Sequence, residues 1–204
     1  MSAPNPYSEL LLPHRPDKLT VINLYGAPGR GKSTVRAGLF WLMKTSGMSV
    51  EEISEYAKYL SLKGCTWQLT EEQLFVFAQQ HHQQVIVQRK GFQFAVTDSP
   101  LHLSAFYGAE HNHHALEPLI DEAHARFNNH HFFLSRLVPP GTFEHRGRAH
   151  DAQASALIEP RMRRYLRDKG IVCTDLVISA RTPWDILALV APGQPLAVPP
   201  PSLG

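Results

Sequence analysis

Residues 25–39 read YGAPGRGKSTVRAGL, with glycines at 26, 29 and 31 directly ahead of Lys32 and Ser33. The run fits the pattern G-x-x-x-x-G-K-[ST], which carries meaning when a strand precedes it and a helix follows. Both flanks are present. KLTVINLY (18–25) is a short β-branched run that stops where the glycines begin, and KSTVRAGLFWLMKTSG (32–47) has helical periodicity closed by Gly47. Glycines let such a loop curl so that its N–H groups converge on phosphate oxygens, and the new helix adds its positive end. The expectation is a nucleotide-phosphate cradle built from Gly26, Ala27, Pro28, Gly29, Arg30, Gly31, Lys32, Ser33 and Thr34. Lys32 would neutralise the β- and γ-phosphates of ATP, and the Ser33 hydroxyl would help to hold Mg²⁺.

Outward from the cradle, strands and helices alternate. SVEEIS is a short second strand, and EYAKYLSLKG follows it. TEEQLFVFAQQHHQQVIVQRKG opens on a capping-box pattern, Thr70 with Gln73 three residues on, and predicts one helix up to Gly91. FQFAVTDSP is an apolar strand ending in a turn, and LHLSAFYG and EPLIDEAHARFN are helices. HHFFLSRLV is a fourth strand, PPGTFEHRGRAHD a polar loop, and AQASALIEPRMRRYLRDKG a helix containing Pro160. IVCTDLVIS and TPWDILALV supply a last strand and a last helix, the latter with Pro183 in its first turn. Such alternation implies right-handed βαβ units and a parallel sheet covered on both faces. The fold class expected is therefore α/β, a three-layer, doubly wound, mostly parallel five-stranded sheet. Residues 1–18 form a Pro-containing lead, 19–191 the domain, and 192–204 a Pro-rich tail expected to be disordered or polyproline-like.

A chain of 204 residues suits one domain. Its 20 Lys+Arg against 18 Asp+Glu leave no broad basic surface of the kind that marks a dedicated duplex-DNA binder. Cys65 and Cys173 are too few and too far apart for a disulfide framework or a zinc site. No apolar run reaches the ~20 residues of a membrane span, and the N-terminal stretch lacks the basic start and apolar centre of a signal peptide. A cytoplasmic protein without a membrane partner is expected; a homodimer is left open.

Holding, hydrolysing and transferring a phosphoryl group call for different residues. A motor-type ATPase needs a second carboxylate after the metal-binding one, but Asp98 is followed by Ser99 and Pro100. No base-reading N-K-x-D of a switch GTPase is present. Asp98 can serve the metal or accept a proton from a substrate hydroxyl. Glu55, at the end of the second strand, would lie beside the cradle and is the other candidate general base. Arg146 and Arg148 in FEHRGRAHD are placed as a lid over residues 139–151, where they would stabilise the transferred group and exclude water. Gln79, Gln83 and Arg89 lie near one face of the long helix as candidate base readers, with Tyr56 at the same pocket. Tyr56, Phe75, Phe77 and Tyr107 suit stacking on a base or ordinary core packing. The histidines at 81–82, 111, 113–114 and 130–131 favour structural roles over a metal site, because neighbours on helices and strands point apart.

GAPGRGKST, SEYAK, VTDSPL and FEHRGRAHDAQASALIEPRMRRYL together resemble the phage-type P-loop kinases related to thymidylate and other nucleotide kinases. The resemblance extends from Leu19 to about Ala191. Thymidylate kinases usually carry Asp-Arg-(Tyr/Phe) at the third strand, where this chain has Asp98-Ser99-Pro100. The resemblance therefore implies as acceptor the hydroxymethyl group of 5-hydroxymethyluracil within phage DNA, a step toward hypermodified thymines that evade host restriction. It leaves as alternatives a deoxynucleoside monophosphate kinase and, outside enzymes that transfer, a nucleotide-switch ATPase. A base in DNA would have to leave its stack, with Arg136–Arg148, Arg161, Arg163 and Arg164 as a basic strip for the backbone.

Overall fold

The computed structural model describes residues 18–111, 113–135 and 152–202, with residues 152–156 described for their backbone only. The N-terminal lead, apart from Lys18, and the expected lid with Arg146 and Arg148 lie outside these residues. Five strands, β1 (Thr20–Tyr25), β2 (Val50–Ile53), β3 (Phe94–Thr97), β4 (Asn128–Ser135) and β5 (Thr174–Val177), form one all-parallel sheet in the order β2-β3-β1-β4-β5. Among the described residues eight helices accompany them: α1 (Lys32–Thr45), α2 (Tyr56–Leu62), α3 (Gln68–Glu71), α4 (Gln73–Arg89), α5 (His102–Ala109), α6 (Leu116–Ala125), α7 (Ala152–Asp168) and α8 (Thr182–Val190). Among the described residues no helix is long and apolar enough to cross a membrane.

The central strand shows why the layers form. Side chains alternate across a strand, so Ile22 and Leu24 face α1 and α8, where they pack with Leu39, Leu42, Ile186 and Leu187. Val21 faces the opposite layer of α4, α5 and α6 with Phe77, Ala105 and Ile120. Tyr25 ends that face against Phe106 of α5 and Met162 of α7. With both faces covered, the strand is mostly apolar, and its one buried amide, Asn23, donates to the Val21 carbonyl and to Asn129 Oδ1 of β4. The order also fixes the site. The chain leaves β1, crosses to β2 and returns to β3 between them, so loops after β1, β2 and β3 open at one edge, where parallel sheets bind ligands.

Two sequence expectations need correction. The Thr70–Gln73 box does not cap a helix: Thr70 lies within α3, its hydroxyl donates to the Trp67 carbonyl, and Glu72 breaks the chain between α3 and α4 with φ −123°. The Pro-rich tail is not loose either. Trp184 Nε1 donates to the Val198 carbonyl at 3.0 Å, Ala197 N donates to Ser46 Oγ at 3.3 Å, and Val198 packs on the α1–α8 core.

Under the sheet, on the α5–α6 side, His102, His124 and His131 form a contiguous stack. Ring centroids are 4.4 Å apart for His102 and His124, and 5.1 Å for His124 and His131, with Tyr25 of β1 5.7 Å from His131. His102 Nε2 meets Asp121 of α6 at 3.0 Å, and Lys169, after α7, bonds Asp121 and Glu117. Burial, then neighbouring histidines, lower His124 to about 3 and His131 to about 4, and burial also lowers His102. The fold therefore holds these rings neutral. Below their ordinary value of 6.5 the unfolded chain takes up protons that the folded one refuses, so stability falls as the pH drops from about 6.5 toward 3. The loss is up to about 1.4 kcal/mol per pH unit for each such histidine, and less where solvent reaches the ring. Urea midpoints measured from pH 7 to pH 4 should fall steeply, and His124→Phe should flatten the slope; a pH-independent midpoint would exclude this coupling.

Candidate active site

The cradle is formed at the C-terminal end of β1. Gly26, Gly29 and Gly31 all have positive φ, at 142°, 83° and 90°. At Gly26 a Cβ would also stand 2.6 Å from the Leu134 carbonyl oxygen of β4, so the loop can pass the neighbouring strand only without a side chain. α1 begins at Lys32 itself, directing its first N–H groups at the loop. Lys32 Nζ donates to the carbonyls of Gly26 at 2.7 Å and Ala27 at 3.3 Å, which folds the ammonium over the ring of loop amides. Arg30 reaches away to Glu159 of α7 at 3.2 Å, tying the loop to that helix. Thr34 stands exposed in the first turn of α1.

A cleft of about 870 Å³ opens on the cradle, lined on the donor side by Gly29, Lys32 and Ser33 and in its centre by Glu55, Asp98 and Tyr107. The expected carboxylates are thus brought together with the cradle. Asp98, which follows β3, is 3% exposed and accepts from Arg36 Nη1 at 2.8 Å; Arg36 Nε also stands 3.5 Å from Glu52 of β2. Glu55 sits at the start of α2, two residues beyond β2. Burial raises its pKa above the ordinary 4.5; Lys32 opposes the rise, and the Asp98 charge adds to it. Tyr107 is held protonated by burial, then by Glu55. One of the two carboxylates is therefore neutralised by an arginine, and the other sits between Lys32 and a like charge, in the setting that raises a base toward neutral pH.

Sequence reasoning missed Arg36 and Gln80. Arg36 is one turn beyond Lys32, on the α1 face that looks across β3; knowing that β3 borders β1 would have identified it. Gln80 is 2% exposed, accepts from the Tyr56 N–H at 3.2 Å, and turns its amide nitrogen toward Thr97 Oγ1 at 3.5 Å. It thereby ties the start of α2, next to Glu55, to the end of β3, next to Asp98.

Gln79, Gln83 and Arg89 do not line the cleft. The inward stripe of α4 is Gln73, Val76, Phe77, Gln80, Gln84 and Val87, and those three residues fall outside it. Val76, Phe77 and Val87 carry the phase that could have shown this. Tyr56 also lies outside the lining, its ring packed 5.6 Å from Tyr59 and 5.7 Å from Phe75, while Phe77 is core. The expected basic strip is largely spent internally: Arg161 pairs with Glu110, and Arg163 pairs with Asp175 while lying 3.7 Å over the Phe133 ring. Among the described residues no group of three or more His, Cys, Asp and Glu side chains is placed to hold a metal.

A parallel sheet in this order, with a glycine cradle after its central strand and carboxylates after the two strands on one side of it, β3 and β2, is the arrangement of P-loop kinase folds. Solved structures share it. The NadR protein in complex with NR superposes with a TM-score of 0.63 at 12% identity over 91% of this chain, which spans about half, 53%, of the NadR chain. Deoxyadenosine kinase from M. mycoides with bound dATP gives a TM-score of 0.51 at 15% identity, covering 83% of this chain and 98% of that one; its complex with dCMP and dCDP gives the same TM-score at 14% identity. No family model matches the sequence, and no curated protein matches it.

Proposed function

We propose that the chain is an ATP-dependent phosphotransferase whose acceptor is an alcohol, with the hydroxymethyl group of 5-hydroxymethyluracil in phage DNA as the leading acceptor. The observation that carries this reading is the placement of Lys32 and the cradle on one side of a single cleft and Glu55 within the same cleft. The cradle suits ATP phosphates, because positive φ at Gly26, Gly29 and Gly31 curls the loop at the start of α1 and the Gly26 and Ala27 carbonyls hold the Lys32 ammonium against it. Ser33 and Asp98, which line the same cleft, would hold Mg²⁺ together with the phosphates, and the ion would supply charge neutralisation at the transferred group. Glu55 would take the acceptor proton, Lys32 would stabilise charge on the phosphoryl oxygens, and Arg36 would hold Asp98 in place. Arg146 and Arg148 complete this proposal as lid arginines.

The lining favours an acceptor hydroxyl over an acceptor phosphate. Among the described residues no arginine lines the cleft; its acceptor half carries Glu55 and Glu110 with Lys58 and His111, and Glu110 is paired with Arg161 from outside the lining. A nucleoside monophosphate dianion would find no arginine fork there among the described residues, which counts against the thymidylate-kinase-like reading. A free nucleoside is the second reading; it is supported by the similarity to structures described with NR and as a deoxyadenosine kinase. Incubation with labelled ATP and, in parallel, hydroxymethyluracil DNA, unmodified DNA, free nucleosides and deoxynucleoside monophosphates separates these outcomes. Label on the modified DNA supports the proposal, label on nucleosides supports the second reading, and phosphate release without transfer refutes both in favour of an ATPase switch.

A further inference from the structure

Arg36 stands between two carboxylates and hydrogen-bonds only one of them. From α1, one turn past Lys32, its Nη1 donates to Asp98 Oδ1 at 2.8 Å, while its Nε is 3.5 Å from Glu52 Oε2 of β2. At that second contact the charges meet without a hydrogen bond: Nε is buried and has no hydrogen-bond partner among the described residues. The sheet sets up both contacts. Glu52 shares the face of β2 with Val50, which packs on α1, and it pairs in register with Val96, two residues before Asp98. The Glu52 side chain is 36% exposed against 3% for that of Asp98, so it has room to adjust. Asp98 lines the cleft, whereas Arg36 and Glu52 do not.

A permanent Arg36–Asp98 pair is at odds with a metal-holding Asp98. A buried carboxylate closed by a guanidinium offers an arriving cation a neutralised partner and a nearby positive charge, both unfavourable where the local dielectric is low. A guanidinium that simply left Asp98 would become a buried charge without a partner, which is strongly destabilising. Glu52 removes that obstacle. A shift of about half an ångström turns the 3.5 Å contact into an ordinary N–H···O bond, which satisfies the unpartnered Nε and keeps the guanidinium paired. We infer that Arg36 exchanges Asp98 for Glu52 when Asp98 takes a divalent cation, which makes Glu52, outside the cleft, a positioning residue for the metal. This exchange rests on the phosphotransferase reading only for the presence of a nucleotide with Mg²⁺ in the cleft, and binding alone tests it.

The probe is a non-hydrolysable ATP analogue titrated calorimetrically into the full chain, in Mg²⁺ or in EDTA. The unaltered chain should bind it more tightly in Mg²⁺. Glu52→Gln, on an edge strand and with an unchanged melting temperature, should shrink that Mg²⁺ advantage about five- to tenfold, the difference between a charged and a neutral acceptor for a guanidinium. Affinity in EDTA should not change, since Glu52 does not line the cleft. In an Arg36→Met background Glu52→Gln should have no effect on the advantage, because no guanidinium is left to move. In the unaltered chain the Arg36 Nε–H proton resonance should also move downfield when Mg²⁺ is added to the analogue complex, as its bond to a carboxylate forms. A resonance that stays in place, or the absence of any Mg²⁺ advantage, overturns the exchange without a variant. An undiminished advantage in Glu52→Gln overturns it as well, and so does a loss that persists beside Arg36→Met, which would show Glu52 acting on the cation by its own charge. If the advantage falls as expected but no label passes from ATP to any acceptor, the exchange stands and the phosphotransferase reading is removed; transfer with an undiminished advantage does the reverse.

Discussion

Lys32→Ala is expected to reduce phosphoryl transfer from ATP by at least about 10³-fold while leaving the fold intact. The ammonium is folded over the cradle by the Gly26 and Ala27 carbonyls, so its charge is fixed before any nucleotide arrives. A preorganised charge of this kind acts where negative charge builds up on the phosphoryl oxygens, and removing one such donor typically costs 10²–10³-fold in rate. Loss of the full positive charge, with weaker nucleotide binding added, extends that range. The fold should tolerate the change, because alanine favours the first turn of α1 at least as well as lysine and the side chain is only partly buried. Single-turnover transfer of label, measured beside a thermal melt, checks both halves. Activity within tenfold of the unaltered chain, at an unchanged melting temperature, would take Lys32 out of the chemistry.

How much of this was legible in the sequence depends on the range of the interaction responsible. The cradle and the alternation of strands and helices are local signals, carried by glycine spacing and by strands buried on both faces, and the five-stranded parallel sheet follows from them. Glu55 and Asp98 were legible because both sit just past strand ends, where a parallel sheet gathers its loops. Arg36 was not, since it acquires its partner only when β3 takes its place beside β1. The capping pattern at Thr70 failed for a similar reason: the local motif competes with a chain break that turns Gln73 to the cleft, and tertiary packing decides between them. Composition misled at the C-terminus, where proline suggested an undocked tail; one indole N–H and one serine hydroxyl hold it to the core.

The choice between the two carboxylates can be made by experiment because their surroundings differ. Asp98 is buried and paired with an arginine, whereas Glu55 is buried beside Lys32 with Asp98 as a like-charged neighbour. Burial is the larger cause and raises the Glu55 pKa, so the carboxylate, which is the form able to accept a proton, is lost as the pH falls through that raised value. Transfer should accordingly show an acidic limb above the ordinary 4.5 of a glutamate. Glu55→Gln keeps the shape and removes the base; kcat should drop by about 10²–10⁴-fold, and the acidic limb should disappear from whatever activity remains. Asp98→Asn gives the contrast. It leaves Arg36 with a weaker partner and should lower the rate through nucleotide and metal placement, yet preserve the acidic limb. An acidic limb that persists in Glu55→Gln and vanishes in Asp98→Asn would exchange the two roles, and the arginine pair would then have to open during each turnover to free the base.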